Sequence, residues 1–570
     1  MKTNKSILYA LACVFLFGTS TVTFATGLPP LQDTILLGGK QNSSPNYNDN
    51  SDLSACIVQT SDGGFIAVGS SNSNDADFHG NHGPAGYSDV AVAKLNASHD
   101  TVWVKLYGST SEELGKSLVV CADGSGYVIS ATTTCMGTNG DVSGNAGSNG
   151  IWVFKINTSG VVQWQIVLGG IQSETTQAGS SITQLRDGDY VVCGQTSSTA
   201  LSGYHGGSSD GYVVRLSPTG SIVGSWCIGS NVQDFFTSID ATSDSGYVLL
   251  GYTNGNNNQD VPVSSGSNDF WVVKMSKTNT ISWKKCAGGI NNDMSYCIKQ
   301  TLDGGYIMTG STKGNITGYQ GGLADVLVAK MTSVGVLSWM KCRGGTGDDR
   351  GYSIAILPDS GFVVCGQTTA GTGDVTGGNY HASNDMWVFT IDKNGNLTAQ
   401  NCYGGSSTEF GMCVIRTTDG GYAIFGHTNS NMSGDVGKNH RANTSDWWIV
   451  WLSNSPIPSP PIVSTGFGPV PVPPAVDRVV VTNEELVELD GGRKSSPFIE
   501  PKTSVPTQIL KVYYNQENLV ITKPTNESEI TIYDLSGRIV ENFNSLKPGY
   551  YIAISVEPDK SFQKCKFIVN

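Results

Sequence analysis

The side chains in this sequence that are best suited to ligand chemistry are aspartate, histidine and tyrosine residues in its long polar loops. A tyrosine ring can stack on a sugar, and histidine or aspartate can hydrogen-bond to the sugar hydroxyl groups. The same residue types also close Asx turns in glycine-rich loops, which is the competing interpretation. His79 and His82 would supply two ligands to a metal, but no clear third ligand accompanies them. The candidate ligand-binding residues are Asp77, His79, His82, Tyr204, His205, Tyr319, Tyr380, His381 and His440.

Two series of carboxylates recur at regular spacing along the chain. The first series opens a strand-like run and comprises Asp89, Asp210, Asp269, Asp325, Asp385 and Asp446, with Gly150 at the remaining position. The second series follows a recurring glycine-containing pair and comprises Glu113, Glu174, Asp234, Asp293, Asp349 and Glu409. A ring of such oxygen ligands could hold Ca²⁺ or another hard cation. Short carboxylates repeated at one site also cap turns by accepting backbone N–H groups, so both interpretations stay open.

The elements that must position these residues come from a repeat. A turn of the type Asp303-Gly304-Gly305-Tyr306 recurs seven times, about every 60 residues. Each copy holds four short runs of alternating polarity, separated by turns, and has no helical periodicity. The pattern predicts an all-β fold, a seven-bladed β-propeller over residues 31–453. In such a blade the second-to-third loops and the blade-to-blade links share one face, where we expect the binding residues.

The first repeat-like segment of the chain is a fragment. Asp33 to Gly39 reads DTILLGG, which matches the end of a repeat such as WQIVLGG at 164–170. The seventh copy, in turn, stops after DWWIVW at 446–451 without a fourth strand. We therefore predict that the N-terminal segment is the missing fourth strand, and that it closes the ring and covers the exposed sheet edge.

Recognisable catalytic motifs are absent from the sequence. It contains no G-x-S-x-G nucleophile elbow, no H-E-x-x-H motif and no P-loop. Paired carboxylates for glycoside hydrolysis cannot be singled out, because acidic residues recur in every copy. The tryptophans also recur, which favours packing between blades over a ligand platform. The two recurring sets are Trp103, Trp164, Trp283 and Trp339, and Trp152, Trp271, Trp387 and Trp448.

The cysteines show the same periodicity. Cys56, Cys297 and Cys413 share one repeat position, and equivalent positions in neighbouring blades are expected to lie too far apart for a disulfide. Most of the cysteines therefore resemble small buried apolar residues. The two pairs worth testing, because their spacing across blade junctions is identical, are Cys286–Cys297 and Cys402–Cys413.

Length, charge and the N-terminus limit the class of protein. The 570 residues exceed one ordinary core, and a net charge of −13 with pI near 5.0 argues against nucleic acid as a partner. Lys2 and Lys5 precede an apolar run, which predicts a secretory signal peptide over residues 1–25. No later stretch is apolar enough to cross a bilayer, so no transmembrane segment is expected in the mature protein.

A Pro- and Ser-rich stretch predicts a linker over residues 454–508, followed by a small β-sandwich at 509–570. In this last segment, ITIYDLSGRIV, LKPGYYIAI and a terminal KFIV occur in that order. The segment resembles the type A C-terminal sorting domain of the type IX secretion system of Bacteroidota, although the family's Pro-Asn-Pro opening is replaced by VYYNQENL. The repeat also resembles propeller repeats of exported proteins in that group. The positions that match the sorting domain are Asp534, Gly537, Arg538, Gly549, Tyr550, Lys566, Ile568 and Val569.

The resemblance implies export through the periplasm by the type IX machinery, with release or attachment at the outer cell surface. The sequence favours a binding or adhesion protein, rather than an enzyme, whose partner is a glycan or a cell-surface protein. A polysaccharide-active hydrolase or lyase and a structural surface spacer are the alternatives. No cofactor is established by the sequence, and Ca²⁺ is the candidate that the acidic series suggest.

Overall fold

The computed structural model describes residues 28–39 and 52–453, except 85, 145–146, 170–172, 176–180, 256, 315, 377–378, 382 and 441–443. It also describes six strands between residues 486 and 569. The predicted signal peptide and most of the predicted linker lie outside the described residues. The chain divides into two compact units at residues 460 and 461. Within the described residues, no helix has the length and apolar character needed to cross a bilayer.

The first unit is a ring of seven antiparallel sheets, as the repeat predicts. The chain begins with β1 (Leu31–Leu37). Blade 1 contains β2 (Leu53–Gln59), β3 (Phe65–Ser71), β4 (Asp89–Leu95) and β5 (Thr101–Tyr107). Blade 2 contains β6 (Glu113–Val120), β7 (Tyr127–Thr133), β8 (Gly150–Ile156) and β9 (Val162–Leu168). Blade 3 contains β10 (Glu174–Thr175), β11 (Ile182–Gln184), β12 (Tyr190–Thr196), β13 (Asp210–Leu216) and β14 (Ile222–Ile228). In blade 3 the first strand is split, and both β10 and β11 pair with β12.

The remaining blades repeat the same order. Blades 4 to 7 contain β15 (Asp234–Ala241), β16 (Tyr247–Thr253), β17 (Asp269–Met275), β18 (Ile281–Ala287), then β19 (Asp293–Gln300), β20 (Tyr306–Thr312), β21 (Asp325–Met331), β22 (Leu337–Arg343), then β23 (Arg350–Ile356), β24 (Phe362–Thr368), β25 (Asp385–Ile391), β26 (Leu397–Tyr403), and finally β27 (Glu409–Arg416), β28 (Tyr422–Thr428) and β29 (Asp446–Leu452). A 3₁₀ turn, Gly373–Val375, lies in the long loop of blade 6.

The Asp-Gly signals form the first-to-second turns. In blade 5, Gly304 adopts φ of 77°, a conformation that glycine takes without strain, and Asp303 Oδ1 accepts the N–H of Gly305 at 2.9 Å. The first strand of each blade contacts the first strands of its neighbours, which places it nearest the axis. The fourth strand is the outermost. Hydrophobic clusters join neighbouring blades, as Phe270 of blade 4 and Leu327 of blade 5 illustrate.

The predicted ring closure is confirmed. Strand β1 pairs antiparallel with β29, with Ile35 opposite Ile449, so blade 7 has the order β1-β29-β28-β27. The strand begins two residues before the DTILLGG motif and ends in buried Leu37. Both ends of the propeller chain therefore lie in one sheet.

The prediction that the tryptophans pack between blades is confirmed for the set on the third strands. Trp152, Trp271, Trp387 and Trp448 are fully buried. Of the other set, Trp164 donates its indole N–H to the carbonyl of Pro218 in the next blade at 3.0 Å. A Cβ added to Gly220 would lie 2.6 Å from the Trp164 ring, so this position is closed to any residue but glycine.

No disulfide joins the described cysteines, so neither Cys286–Cys297 nor Cys402–Cys413 is bonded in this structure. Cys56 and Cys413 occupy equivalent positions on the first strands of neighbouring blades, and no disulfide joins them. The Cys413 thiol instead donates to the carbonyl of Ile57 at 3.7 Å.

The second unit contains two small sheets. One has the order β30-β35-β34-β33, formed by β30 (Leu486–Leu489), β33 (Glu529–Asp534), β34 (Gly549–Val556) and β35 (Phe562–Val569). The other pairs β31 (Lys511–Asn515) with β32 (Asn518–Thr522). Strand β30 lies inside the stretch predicted as linker. Of the sorting-domain positions, Gly549 is paired with Val569 and Tyr550 with Ile568, whereas Gly537 and Arg538 lie outside the described residues.

Candidate functional site

The second carboxylate series caps the links between blades. In blade 2, Glu113 accepts the Ser109 N–H at 2.7 Å, the Ser109 hydroxyl at 2.8 Å and the Thr133 hydroxyl at 2.7 Å. The other members likewise accept the hydroxyl of the threonine that ends the second strand. These partners are Thr196 for Glu174, Thr253 for Asp234, Thr312 for Asp293, Thr368 for Asp349 and Thr428 for Glu409. All six carboxylates are fully buried.

A seventh member of this series, Asp52, is absent from the sequence-based predictions. It accepts the Gly39 N–H at 3.1 Å and the Ser71 hydroxyl at 2.5 Å, as its counterparts do. Burial raises the pKa of Asp52 to about 8. It was missed because it follows its glycine pair by 13 residues rather than four. Its place immediately before the first strand of blade 1 was the available signal.

The first carboxylate series faces the same glycines from the other side. A Cβ on Gly108 would lie 2.3 Å from Asp89 Oδ1 and 2.9 Å from Glu113 Oε2. Each aspartate of this series in turn accepts hydrogen bonds from the long loop of its own blade. For example, Asp325 accepts the Gln320 N–H at 2.6 Å, and burial raises its pKa to about 7. The glycine pair is therefore the point where two buried carboxylates approach the backbone.

Four of the predicted histidines bond to this aspartate series through Nδ1. The pairs and their separations are His82–Asp89 at 2.6 Å, His205–Asp210 at 2.8 Å, His381–Asp385 at 3.0 Å and His440–Asp446 at 2.6 Å. Three of them also reach an aspartate of the next blade through Nε2. These contacts are His82–Asp141 at 3.6 Å, His205–Asp260 at 3.6 Å and His440–Asp77 at 3.1 Å. The histidines thus link neighbouring blades.

The predicted tyrosines bond within their own loops. The hydroxyls of Tyr204, Tyr319 and Tyr380 donate to the carbonyls of Gly207, Gly322 and Ser383. Of the nine loop candidates, His79 and His82 are exposed and the other seven are half-buried. The structure therefore places the nine on one face but uses eight of them in contacts that shape the loops. That they bind a ligand stays a prediction.

The described residues contain no group of three or more His, Cys, Asp or Glu side chains arranged to hold a metal ion. Each of the six carboxylates of the second series accepts a hydroxyl, and all but Glu174 also accept a backbone N–H of their blade junction in the described part of the chain. This geometry fits the turn-capping interpretation of the series.

The repeat loses its regularity along the axis. On the first strands, alternate residues are half-buried between fully buried neighbours, which places them along the axial channel. At one such position blades 2, 5, 6 and 7 carry Leu114, Met294, Arg350 and Phe410, and at the next one toward the opposite face they carry Lys116, Tyr296, Tyr352 and Met412. The equivalent Phe235 and Thr237 of blade 4 are fully buried. No other repeated position described above combines aromatic, cationic and aliphatic side chains in this way.

Blades 5 and 6 carry the most polar part of this axial lining. Tyr296 and Tyr352 meet edge to face with ring centroids 5.0 Å apart, and the Tyr352 hydroxyl donates to Gln367 Oε1 at 2.7 Å. Arg350 binds Asp348 through Nε at 3.0 Å and Nη2 at 2.9 Å. This ion pair raises the pKa of Arg350, and its side chain remains 38% exposed. The cluster combines aromatic rings with fixed hydrogen-bond donors and acceptors.

In the adjoining blade 7, the Phe410 ring lies against the His427 ring with centroids 4.8 Å apart. His427 Nδ1 is 3.1 Å from the Ser54 hydroxyl, and burial lowers its pKa to about 4. The imidazole is therefore neutral near pH 7 and serves as a packing and hydrogen-bonding group. None of these axial residues was predicted. The signal that could have revealed them is the chemical variation at one repeat position when the seven copies are aligned.

No family model and no curated protein matches this chain. Among solved structures, it is similar to Kuenenia stuttgartiensis hydrazine synthase, with 13% identity, a TM-score of 0.40, and coverage of 67% of this chain and 96% of that one. It is also similar to the NanB sialidase of Streptococcus pneumoniae, with 10% identity, a TM-score of 0.36, and coverage of 73% and 70%. The intramolecular trans-sialidase of Ruminococcus gnavus matches with 9% identity, a TM-score of 0.34, and coverage of 73% and 97%. At this identity the likenesses concern the fold alone.

Proposed function

We propose that this chain is an exported β-propeller that binds a glycan at the loop-face end of its axial channel. The observation that carries the proposal is the break in repeat symmetry at the axis. There the side chains differ from blade to blade, whereas the loop histidines and tyrosines repeat the same internal contacts. The loop histidines and tyrosines that share one contact in several blades shape the scaffold, whereas the axial side chains that differ from blade to blade are candidates for contact with a ligand.

The chemistry of the axial cluster suits a neutral sugar. The rings of Tyr296, Tyr352 and Phe410 offer apolar surface for the C–H face of a pyranose. Arg350 and Asp348 offer a donor and an acceptor that are held in one geometry by their own ion pair. A site of this kind fixes the orientation of a sugar by a few polar contacts around an apolar platform.

Delivery is the second part of the proposal. The N-terminal signal would carry the chain to the periplasm, and residues 509–570 would direct it through the type IX machinery to the outer surface. Support comes from the sequence motifs named above. Removing residues 509–570 is expected to trap the propeller in the periplasm, and its undiminished appearance outside the cell would contradict this assignment.

The binding proposal is tested with the full chain on immobilised polysaccharides and cell-surface fractions. Tyr296→Ala and Tyr352→Ala are expected to weaken binding about tenfold each, because each removes a stacking surface worth about 1 kcal/mol or more. His79→Ala is the control, since this exposed loop histidine lies away from the channel lining. Loss of binding in the His79 variant with retention in both tyrosine variants would place the site in the loops and contradict the proposal.

A further inference from the structure

Two clefts of almost equal volume lie at equivalent places in the ring. One, between blades 1 and 2, has a volume of about 360 Å³, and the other, between blades 5 and 6, about 370 Å³. Both are lined by first-to-second and third-to-fourth turns, which lie on the face opposite the long loops. They are therefore separate from the axial cluster. Volumes of this size fall within the range of small-ligand pockets, about 300–1,000 Å³.

The two clefts share their principal lining residues. In each, a tryptophan of the fourth strand stands opposite a lysine of the third strand, and an aspartate of the Asp-Gly turn binds that lysine. The set is Trp103, Lys94 and Asp62 in the first cleft, and Trp339, Lys330 and Asp303 in the second. Two independent junctions thus present the same three side chains to solvent-filled space.

The aspartate is a rigid, ionised acceptor. Asp303 Oδ1 accepts the Thr301 hydroxyl and the Gly305 N–H, and Oδ2 lies 2.9 Å from Lys330 Nζ. The Asp303 side chain is nevertheless 67% exposed, so Oδ2 can accept a further hydrogen bond. Its contacts with Thr301 and Lys330 lower its pKa to about 2, despite some desolvation, and keep it charged at neutral pH.

The tryptophan is held in place from behind. Trp339 donates its indole N–H to the carbonyl of Lys393 at 3.1 Å, and a Cβ on Gly395 would lie 2.8 Å from its ring. The indole is half-buried and lines the cleft. A fixed indole beside a carboxylate presents the combination that a sugar ring requires, an apolar face and a directed acceptor.

The junction between blades 7 and 1 is an internal comparison. There Asp33 takes the place of the tryptophan and Trp451 that of the lysine. The His99 ring stacks on Trp451 with centroids 3.9 Å apart, and the cleft has a volume of only about 150 Å³. This junction lacks the Trp, Lys and Asp set and has the smaller cleft, whereas the junction between blades 4 and 5 carries the same set as Trp283, Lys274 and Asp244.

We infer that the clefts at the 1–2 and 5–6 junctions each bind one neutral pyranose ring. The sugar's C–H face lies on Trp103 or Trp339, and one hydroxyl donates to Oδ2 of Asp62 or Asp303. The two sites stand three and four junctions apart around the ring of seven, so one propeller can hold two chain ends or two segments of a polymer. This inference does not depend on glycan binding at the axis.

The test uses the full chain and a panel of methyl α- and β-hexopyranosides, with binding followed by titration calorimetry and saturation-transfer NMR. Blocking substitutions at exposed rim positions, Val102→Arg and Ser338→Arg, fill one cleft each without removing the packed tryptophans. The matched control is Val223→Arg, because Val223 is 54% exposed at the same strand position in blade 3, where Gly224 replaces the tryptophan.

We expect at least one glycoside to bind with two sites per chain on this face. Val102→Arg and Ser338→Arg should each remove one binding site, and the double variant should remove both. Val223→Arg should remove neither site, and all four variants should keep the melting temperature of the unsubstituted protein. Tyr296→Ala should leave both sites intact, which separates this result from failure of the axial proposal. Absence of binding by every glycoside up to about 20 mM, well above the range of useful weak affinity near 1 mM, would overturn the inference. Binding that persists undiminished in the double variant would overturn it as well.

Discussion

His440 Nε2 lies 3.1 Å from Asp77 Oδ2, across the junction between the last blade and the first. The same imidazole bonds through Nδ1 to Asp446 at 2.6 Å. Asp77 in turn accepts the Gly38 N–H at 3.0 Å, just after β1 ends. The ring is therefore closed twice, by strand pairing at the rim and by an Asp–His–Asp bridge on the loop face.

This bridge makes stability depend on pH. Hydrogen bonds to Asp446 and Asp77 raise the pKa of His440 from 6.5 to about 10. A raised histidine pKa stabilises the folded state fully below pH 6.5, and this contribution disappears as pH rises through 10. We expect His440→Gln to cost about 1–2 kcal/mol at pH 6 and much less at pH 10. Urea unfolding at both values measures it, with exposed His79→Gln as the control. Equal losses for His440→Gln at both pH values would contradict the assignment.

Asp52 should produce a second pH dependence. Its pKa is raised to about 8 in the folded protein from an ordinary value of 3.8, chiefly by burial. The folded state therefore holds a proton that the unfolded state has lost, so stability falls as pH rises from about 4 to 8. Asp52→Asn should remove part of this fall while keeping one acceptor for the Ser71 hydroxyl. The measurement is the slope of unfolding free energy between pH 4 and 8, and an unchanged slope would count against a neutral Asp52.

The glycine before each blade link should tolerate no side chain. Gly108→Ala would place its Cβ 2.3 Å from Asp89 Oδ1, between two buried carboxylates. We expect a loss of about 1–3 kcal/mol, as for overpacking of a buried site. Gly437→Ala is the matched control, because the nearest heavy atom to its Cβ would be Leu36 Cδ1 at 3.7 Å. Similar melting temperatures for the two variants would show that the carboxylates can move apart.

Closure by β1 can be tested within the strand itself. Leu37 is 3% exposed, whereas Leu31 at the other end is 39% exposed. Leu37→Asp buries an unpaired carboxylate and should cost about 3 kcal/mol or more, with faster proteolysis of blade 7. Leu31→Asp should cost little. If both variants unfold at the wild-type urea concentration, the strand contributes less to closure than its pairing with β29 indicates.

The predictable part of this protein follows from periodicity. Repeated Asp-Gly turns and strands of alternating polarity impose the same local structure wherever they occur. The number of blades and the role of β1 as the closing strand could therefore be predicted from the sequence. The recurring tryptophans were assigned to packing for the same reason. The candidate site was less predictable, because His82 and His440 look available as ligands until the aspartates of the next blade are brought beside them.

The sequence by itself determined a seven-bladed ring that begins with its own last strand, since each blade is specified by local turn chemistry and hydrophobic alternation. Only the tertiary structure decided which polar residues serve the scaffold. In the folded chain Asp77 contacts His440, and Asp52 occupies the same place as the other members of the second carboxylate series. Tyr296, Tyr352 and Arg350 lie together at the axis. These contacts join residues far apart in the chain, and they arise because ring closure sets equivalent positions at distances that no linear spacing encodes.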